Sequence, residues 1–320
     1  MNRRRFIRIA ATGIAGLSFS ETLRAQRGLA LKEYSWNGFL LGAEGQFRLF
    51  SDDSHKAQAS IEHCFAEIRR LEKIFSLYDS SSSISELNRG GQLASPPSEL
   101  ISILQAADQA YRSTGGSFDP TVQPLWKLYS KHFAQNPSAQ VGPSAEAIKK
   151  TLSRVGWSQV SVESGAIRFQ QAGMAITLNG IAQGFITDRI SEILQSEGYE
   201  NVLVELGETR AVGPKPSGDP WRIGIVEAKK QSSLFERIEL NNTALATSGG
   251  YGSPFEESGR YHHLLDPRTG KPSHYCTAVS VIADTATEAD ALSTGLCLMA
   301  PAQIRDFAAS RDDLRVIIQS

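Results

Sequence analysis

"SQVSVESGAIRFQ", residues 158–170, is where the hydrophobic period of this chain changes, and that change decides the fold class. Upstream, apolar residues recur every three to four positions. Over 54–75 they are Ala57, Ile61, Phe65, Ile68, Leu71 and Phe75, the pattern of a long amphipathic helix. Within 158–170 they alternate instead, and Ser164-Gly165 interrupts them, which predicts two short strands joined by a tight turn. Downstream, "MAITL" (174–178), "NVLVEL" (201–206), "WRIGIV" (221–226), "FERIEL" (235–240) and "TAVSVIA" (277–283) are strand-like, and "LRVII" (314–318) predicts a closing strand.

Working outward, further helices are predicted from Pro97 to Ser113, stopped by Gly115-Gly116, from Ser144 to Val155, and from Gly180 to Glu197. The stretch "YDSSSSISELNRGG" (78–91) is polar and turn-rich. Strands paired across short turns, with helices in clusters, predict a mixed α+β architecture rather than regular βαβ repeats. No linker, repeat or low-complexity segment divides the chain, so it forms one domain or two intimately joined lobes. At 320 residues and 41% hydrophobic, the chain has ample core-forming material.

A formal charge of −1 offers no basic field for nucleic acid. Three cysteines far apart, with no CxxC, argue against a disulfide framework or a zinc site. The N-terminus, "MNRRRFIRIAATGIAGLSFSETLRA", places arginines before a short run of small and apolar residues and ends at a plausible cleavage site, Ala25. It resembles a twin-arginine export signal, and its apolar run is too short to span a bilayer. Removing residues 1–25 deletes five arginines and one glutamate and moves the charge from −1 to −5. With no cysteine after the apolar run for a lipid anchor, the expected product is an exported, periplasmic protein of residues 26–320.

Five stretches can carry chemistry. In "DTATEADALSTGLCLM" (284–299), Thr285 and Glu288 fit a capping box that starts a helix near Ala286. Asp290 and Thr294 then share one face, and both are hard oxygen donors suited to Mg²⁺. Taken alone, the pair reads better as a locally capped Asp and a Thr on the helix surface. "TLNGIAQG" (177–184) runs from a predicted strand into a helix, where Gly180 and Gly184 allow close backbone approach to a phosphate, or simply close packing. "TGGSFDPTVQPLW" (114–126) puts Phe118 and Asp119 in a loop, where they can stack on a ring and bond a sugar or base edge, or serve as a core Phe and a turn. "RYHHLLDPRTGKPS" (260–273) reads as a hairpin turn opened by Asp266-Pro267. "GGYG" (249–252) lacks a strand–turn–helix context and carries no weight.

In order along the chain, "SFDPTVQPLW", "LNGIAQGFITDRI", "LVELGE…PWRIGI", "LATSGGY", "HHLLDPRTG" and "ADTATEADALSTGL" resemble the motifs of the ApbE family, the FAD:protein FMN transferases. The resemblance implies a single α+β domain with mixed, largely antiparallel sheets and clustered helices, related to the T-fold. It implies an exported, Mg²⁺-dependent enzyme with FAD as substrate. Such an enzyme attaches FMN to a threonine of an acceptor by a phosphoester bond and releases AMP. Typical acceptors are subunits of membrane redox complexes or other flavoproteins facing the same compartment. By position, the metal ligands would be Asp290, Thr294 and the Gly180 carbonyl. FAD would be contacted at Leu41, Tyr78, Ser117, Phe118, Asp119, Thr177, Gln183 and Leu264, and His263 would serve transfer. Asp266 and Arg268 would fix the loop. The sequence departs from the family pattern at Thr177 (usually Asp), Gln183 (usually Lys or Glu) and Gly207-Glu208-Thr209 (usually Gly-Gly-Asp), which bears on FAD affinity. Two alternatives remain: an FAD pyrophosphatase yielding FMN and AMP, and a non-catalytic periplasmic FAD-binding protein.

Overall fold

The structure, a computed structural model, describes residues 22–23, 31–40, 43–230 and 232–320. The expected signal segment lies outside these residues except for Thr22–Leu23. Eight strands form one antiparallel sheet. In spatial order they are β1 (Thr22–Leu23), β2 (Lys32–Leu40), β3 (Ala43–Ser51), β7 (Val202–Glu205), β8 (Thr209–Val212), β11 (Ala244–Gly249), β12 (Ala278–Ala283) and β13 (Arg315–Gln319). Every recorded strand pairing is antiparallel.

The sheet buries both faces, and its two-residue period sorts the side chains. In β7, Val202 and Val204 join the helix-side core while Leu203 joins the opposite one. In β8, Val212 and Ala211 divide the same way. On the helix side lie α1 (Ser54–Phe75) against β3, α6 (Ala182–Ser196) against β7 and β8, and α7 (Ala286–Leu296) against β11 and β12. On the other side, the hairpin of β9 (Trp221–Val226) and β10 (Leu234–Leu240) packs Trp221, Ile225, Ile238 and Leu240 onto Leu203, Ala211, Leu245 and Ile317. The result is one three-layered α+β domain.

A smaller sheet of β4 (Gln92–Ala94), β6 (Ala166–Phe169) and β5 (Val160–Glu163) contains the two strands expected from residues 158–170. Beside it run α2 (Ser83–Gly90) and α3 (Ser98–Ser113). A third group joins α4 (Gln123–Gln135) and α5 (Ala145–Leu152) with the 254–265 loop through Leu125, Tyr129, Phe133, Ile148 and Leu265. Finally, α8 (Pro301–Ala309) seats Ile304 in the core beneath β12 and β13. Among the described residues, no helix is long and apolar enough to cross a membrane.

Three readings need correction. The polar stretch 78–91 contains α2. Ser82 caps it by accepting from the Ser85 N–H, Ile84 and Leu87 bury one face, and Gly91 ends it at φ +71°. Second, "MAITL" is extended but pairs with no strand. The Asn88 side chain accepts from the Ile176 N–H at 2.7 Å and donates to its carbonyl at 2.8 Å, supplying what a neighbouring strand would have supplied. Third, the capping box at α7 is half formed. Thr285 Oγ1 accepts from the Glu288 N–H at 3.2 Å, whereas the Glu288 carboxylate turns to Arg311.

Candidate active site

One cleft gathers residues from seven separate parts of the chain, Tyr78 in the loop after α1 being one of them. Its walls are the loop after α3, the turn before α6, the β7–β8 turn, the end of β11 and the loop after it, residues 263–265, and one face of α7. Its volume of about 230 Å³ is below the ~300–1,000 Å³ that encloses a whole drug-sized ligand. A dinucleotide would therefore place one part inside and extend the rest across the mouth. Tyr78 and Tyr251, 43% and 39% exposed, line that cleft with the half-buried Trp126, so aromatic surface is available for a ring, whereas the Phe118 side chain is 4% exposed and packs in the core.

On α7, Asp290 and Thr294 both reach the cleft, as i, i+4 spacing requires. Asp290 is 3% exposed and takes one hydrogen bond, from the Gly184 N–H at 3.1 Å to Oδ2. Burial, reinforced by the charge of Asp188, pushes its pKa up against that bond. Thr294 Oγ1 lies 3.1 Å from Ser248 Oγ, which in turn is 2.8 Å from Ser293 Oγ. Gly180 packs so closely here that a Cβ would come within 2.8 Å of Thr294 Oγ1. Gly184 serves packing rather than phosphate approach. A Cβ there would stand 2.2 Å from the Ala286 carbonyl, and its N–H is already given to Asp290.

His263 lines the cleft, and its Nδ1 lies 3.2 Å from the Ser253 carbonyl. A carbonyl only accepts, so Nδ1 carries the proton and Nε2 keeps its lone pair. Shielding by the surrounding protein lowers the pKa of His263 to about 4. His262 is not part of the lining. It is buried, its ring lies against Gly250, and its Nδ1 has no partner. The turn that follows is held as expected from its residues: Asp266 Oδ1 accepts from the Arg268 N–H at 2.8 Å and from its Nε at 3.1 Å. Gly270 has φ +69°, and a Cβ there would meet Ile148 at 2.6 Å.

Of the other residues singled out in sequence, Ser117, Phe118, Asp119, Thr177, Gln183 and Leu264 line the cleft with Tyr78, and Leu41 lies outside the described residues. The Asp119 carboxylate is not free to bond a sugar or base edge. Oδ1 accepts from the Thr121 N–H and hydroxyl at 2.7 and 2.6 Å, and Oδ2 from the Trp157 N–H at 3.1 Å. The turn reading of that residue is therefore the structural one. Thr177 Oγ1 accepts from the Asn179 N–H, and the Gln183 amide covers Gly207. The sequence assigns no role to Tyr251, which lies in "LATSGGY", or to the glycines of "GGYG", although Gly249, Tyr251 and Gly252 line the cleft at and just beyond the end of β11. The usable signal was position after an apolar strand, not a strand–turn–helix motif.

The donor set suits a hard cation. Among the described lining residues, Asp119, Glu208 and Asp290 are acidic and none is Lys or Arg. No group of three or more His, Cys, Asp or Glu among the described residues can hold a metal through side chains alone. A cation here would thus need hydroxyl, backbone, water and substrate oxygens as well, which is Mg²⁺ rather than zinc chemistry.

Fold and cleft together define a class: a single-domain α+β enzyme whose site pairs acidic and hydroxyl oxygens with a neutral histidine. The ApbE family model matches residues 41–318. The FAD:protein FMN transferase of Vibrio cholerae is 32% identical over 255 residues, 77% of this chain and 74% of that one. That of Haemophilus influenzae is 30% identical over 285 residues, 84% and 81% of the two chains. Among solved structures, the flavinyl transferase ApbE of Pseudomonas stutzeri superposes with a TM-score of 0.78 at 29% identity, covering 90% of this chain and 91% of its own. The ApbE protein of Thermotoga maritima gives 0.79 at 32%, covering 89% and 94%. The chain belongs to the ApbE family, and it is an enzyme.

Proposed function

We propose that this chain transfers the FMN moiety of FAD to a threonine of an exported acceptor protein, releases AMP, and requires Mg²⁺. FMN transfer from FAD to protein is the activity named for its relatives in Vibrio cholerae and Haemophilus influenzae. The observation that carries the reading here is the meeting of His263, with a free Nε2, and the Asp290–Thr294 pair in one cleft that has no lysine or arginine among its described lining residues.

In this reading the acceptor hydroxyl attacks the flavin-side phosphorus of FAD. A new oxygen–phosphorus bond forms, the bond to the bridging oxygen breaks, and AMP leaves. The hydroxyl proton goes to His263 Nε2, because Nδ1 already carries one. Asp290 and Thr294, with the Gly180 carbonyl, would be the residues that hold a Mg²⁺ here. When bound, the cation supplies the charge neutralisation that no side chain of the lining provides. Tyr78 and the 117–119 loop position the dinucleotide. The acceptor would be a periplasmic flavoprotein or the exposed part of a membrane redox subunit, met there after export by the arginine-rich leader.

The test is to incubate residues 26–320 with FAD, Mg²⁺ and a threonine-containing acceptor, then follow AMP and run a denaturing gel under ultraviolet light. Fluorescence fixed to the acceptor, with matching AMP, is expected. AMP and free FMN without labelled acceptor would make the chain a pyrophosphatase, and intact FAD would make it a binding protein.

A further inference from the structure

Glu208 has no role in the reaction as set out above, yet it is built into the same site. It occupies the turn between β7 and β8, directly after Gly207, which has φ +96° and is covered by the Gln183 amide. The positive φ favours glycine at 207, and the residue that follows it lines the cleft. Glu208 is 8% exposed, and what it exposes faces the cleft that Asp290 lines.

Two anions buried beside one cleft are costly. Removing a carboxylate from water costs several kcal/mol unless an opposite charge compensates it. Among the described residues, neither Glu208 nor Asp290 belongs to an ion pair, and no lining residue is Lys or Arg. The Thr247 and Gly184 N–H groups give each carboxylate one backbone donor. Those donors are neutral and do not cancel the mutual repulsion. If Glu208 served only to receive the Thr247 N–H, a glutamine would serve equally without the repulsion. A cation within reach of both acids would let both stay ionised and remove the repulsion.

We infer that Glu208 is an additional anionic donor for the divalent cation at Asp290 and Thr294, and that it sets the affinity of this site. The inference rests on the metal reading above. It extends the donor set from one carboxylate to two, so the cation would tie the β7–β8 turn to α7.

Cation binding can be measured on residues 26–320 without FAD, using Mn²⁺ as probe and loss of its free electron-paramagnetic signal as readout. Glu208→Gln keeps the shape and the acceptor for Thr247, and it is expected to weaken Mn²⁺ binding at least tenfold. In chelator its unfolding temperature should equal or exceed that of the parent, since a repulsive charge is gone. Asp290→Asn should weaken binding more. If Glu208→Gln binds Mn²⁺ like the parent while Asp290→Asn does not, the inference falls and the metal reading stands. If Asp290→Asn also binds normally, both fall. Should Glu208→Gln fail to fold, Glu208→Asp retains the charge and is compared with Glu208→Ala. The aspartate must bind the probe more tightly, and equal affinities would overturn the proposal.

Discussion

At the scale of single residues, the adjacent histidines show what a sequence motif can and cannot convey. The stretch 260–273 singles out His263 by resemblance, but only the Ser253 carbonyl fixes its tautomer, and Ser253 is ten residues away. Replacing His263 by Ala is expected to slow flavin transfer about 10²–10⁴-fold, the usual cost of losing a general base. Unfolding temperature and FAD binding should change little. His262→Ala should do the reverse, lowering the unfolding temperature because the ring supports Gly250, while leaving most of the transfer rate. Equal losses of rate from both would mean that the loop as a whole, not one imidazole, is at fault.

The same two residues set a pH dependence. Burial lowers both pKa values to about 4, against ~6.5 for a free histidine. Between those values the unfolded chain binds protons that the native chain refuses, so their contribution to stability falls as pH drops from 6.5 toward 4 and changes no further below. Above 6.5 it is fully present. Denaturant titrations from pH 7.5 to 4.5 should show this decline, and His262→Ala should make it shallower. Transfer by the folded enzyme should keep its base down to near pH 4, lower than an exposed imidazole would allow. Glu208, at a departure from a motif, and Tyr251, within one, had no role legible in sequence; a turn and the segment after a strand deliver them to the cleft.

At the scale of elements, α7 was legible because Thr285 caps it and its apolar residues follow the helical period. What holds it in place was not. The Asp188 carboxylate, on α6, accepts from the Ala286 and Thr287 N–H groups at 2.8 Å each, from the Thr287 hydroxyl and from Arg210. A buried acid thus captures the start of the helix that carries Asp290 and Thr294, where the helix dipole favours negative charge. Gly184 lets the two helices meet. Its replacement by Ala would push a methyl against the Ala286 carbonyl and Asp290. Overpacking of this kind costs about 1–3 kcal/mol. Gly184→Ala should therefore lower stability in urea by about that amount and weaken cation binding as well, since Asp290 is displaced. A folded variant with unchanged cation affinity would show that α7 tolerates the shift. The elements that escaped sequence reading did so for related reasons. In α2, a run of serines hides a cap and two core residues. In α4, Pro124 stands in the first turn and reads as a break although that is where a helix tolerates it.

At the scale of the whole molecule, sequence left open whether the chain is one domain or two lobes. The continuous sheet answers this by pairing β3 with β7 and β8 with β11 across long intervals of sequence. For the same reason the cleft does not exist in any segment alone. Tyr78, Thr177, Glu208, His263 and Asp290 meet only when the long-range pairings are complete. If the chain is exported, a site of this kind is best finished beforehand, and the arginine-rich segment at residues 3–8 resembles the signal of a pathway that carries folded cargo. We therefore expect Arg3, Arg4 and Arg5 to be required for delivery through recognition of the guanidinium groups, not through charge alone. Changing all three to Lys preserves the charge and should leave full-length precursor in the cytoplasm, measured by fractionation and by the mass of the retained chain. If mature protein accumulates in the periplasm at the parental level, the leader directs export by another route, and the site must then assemble after translocation.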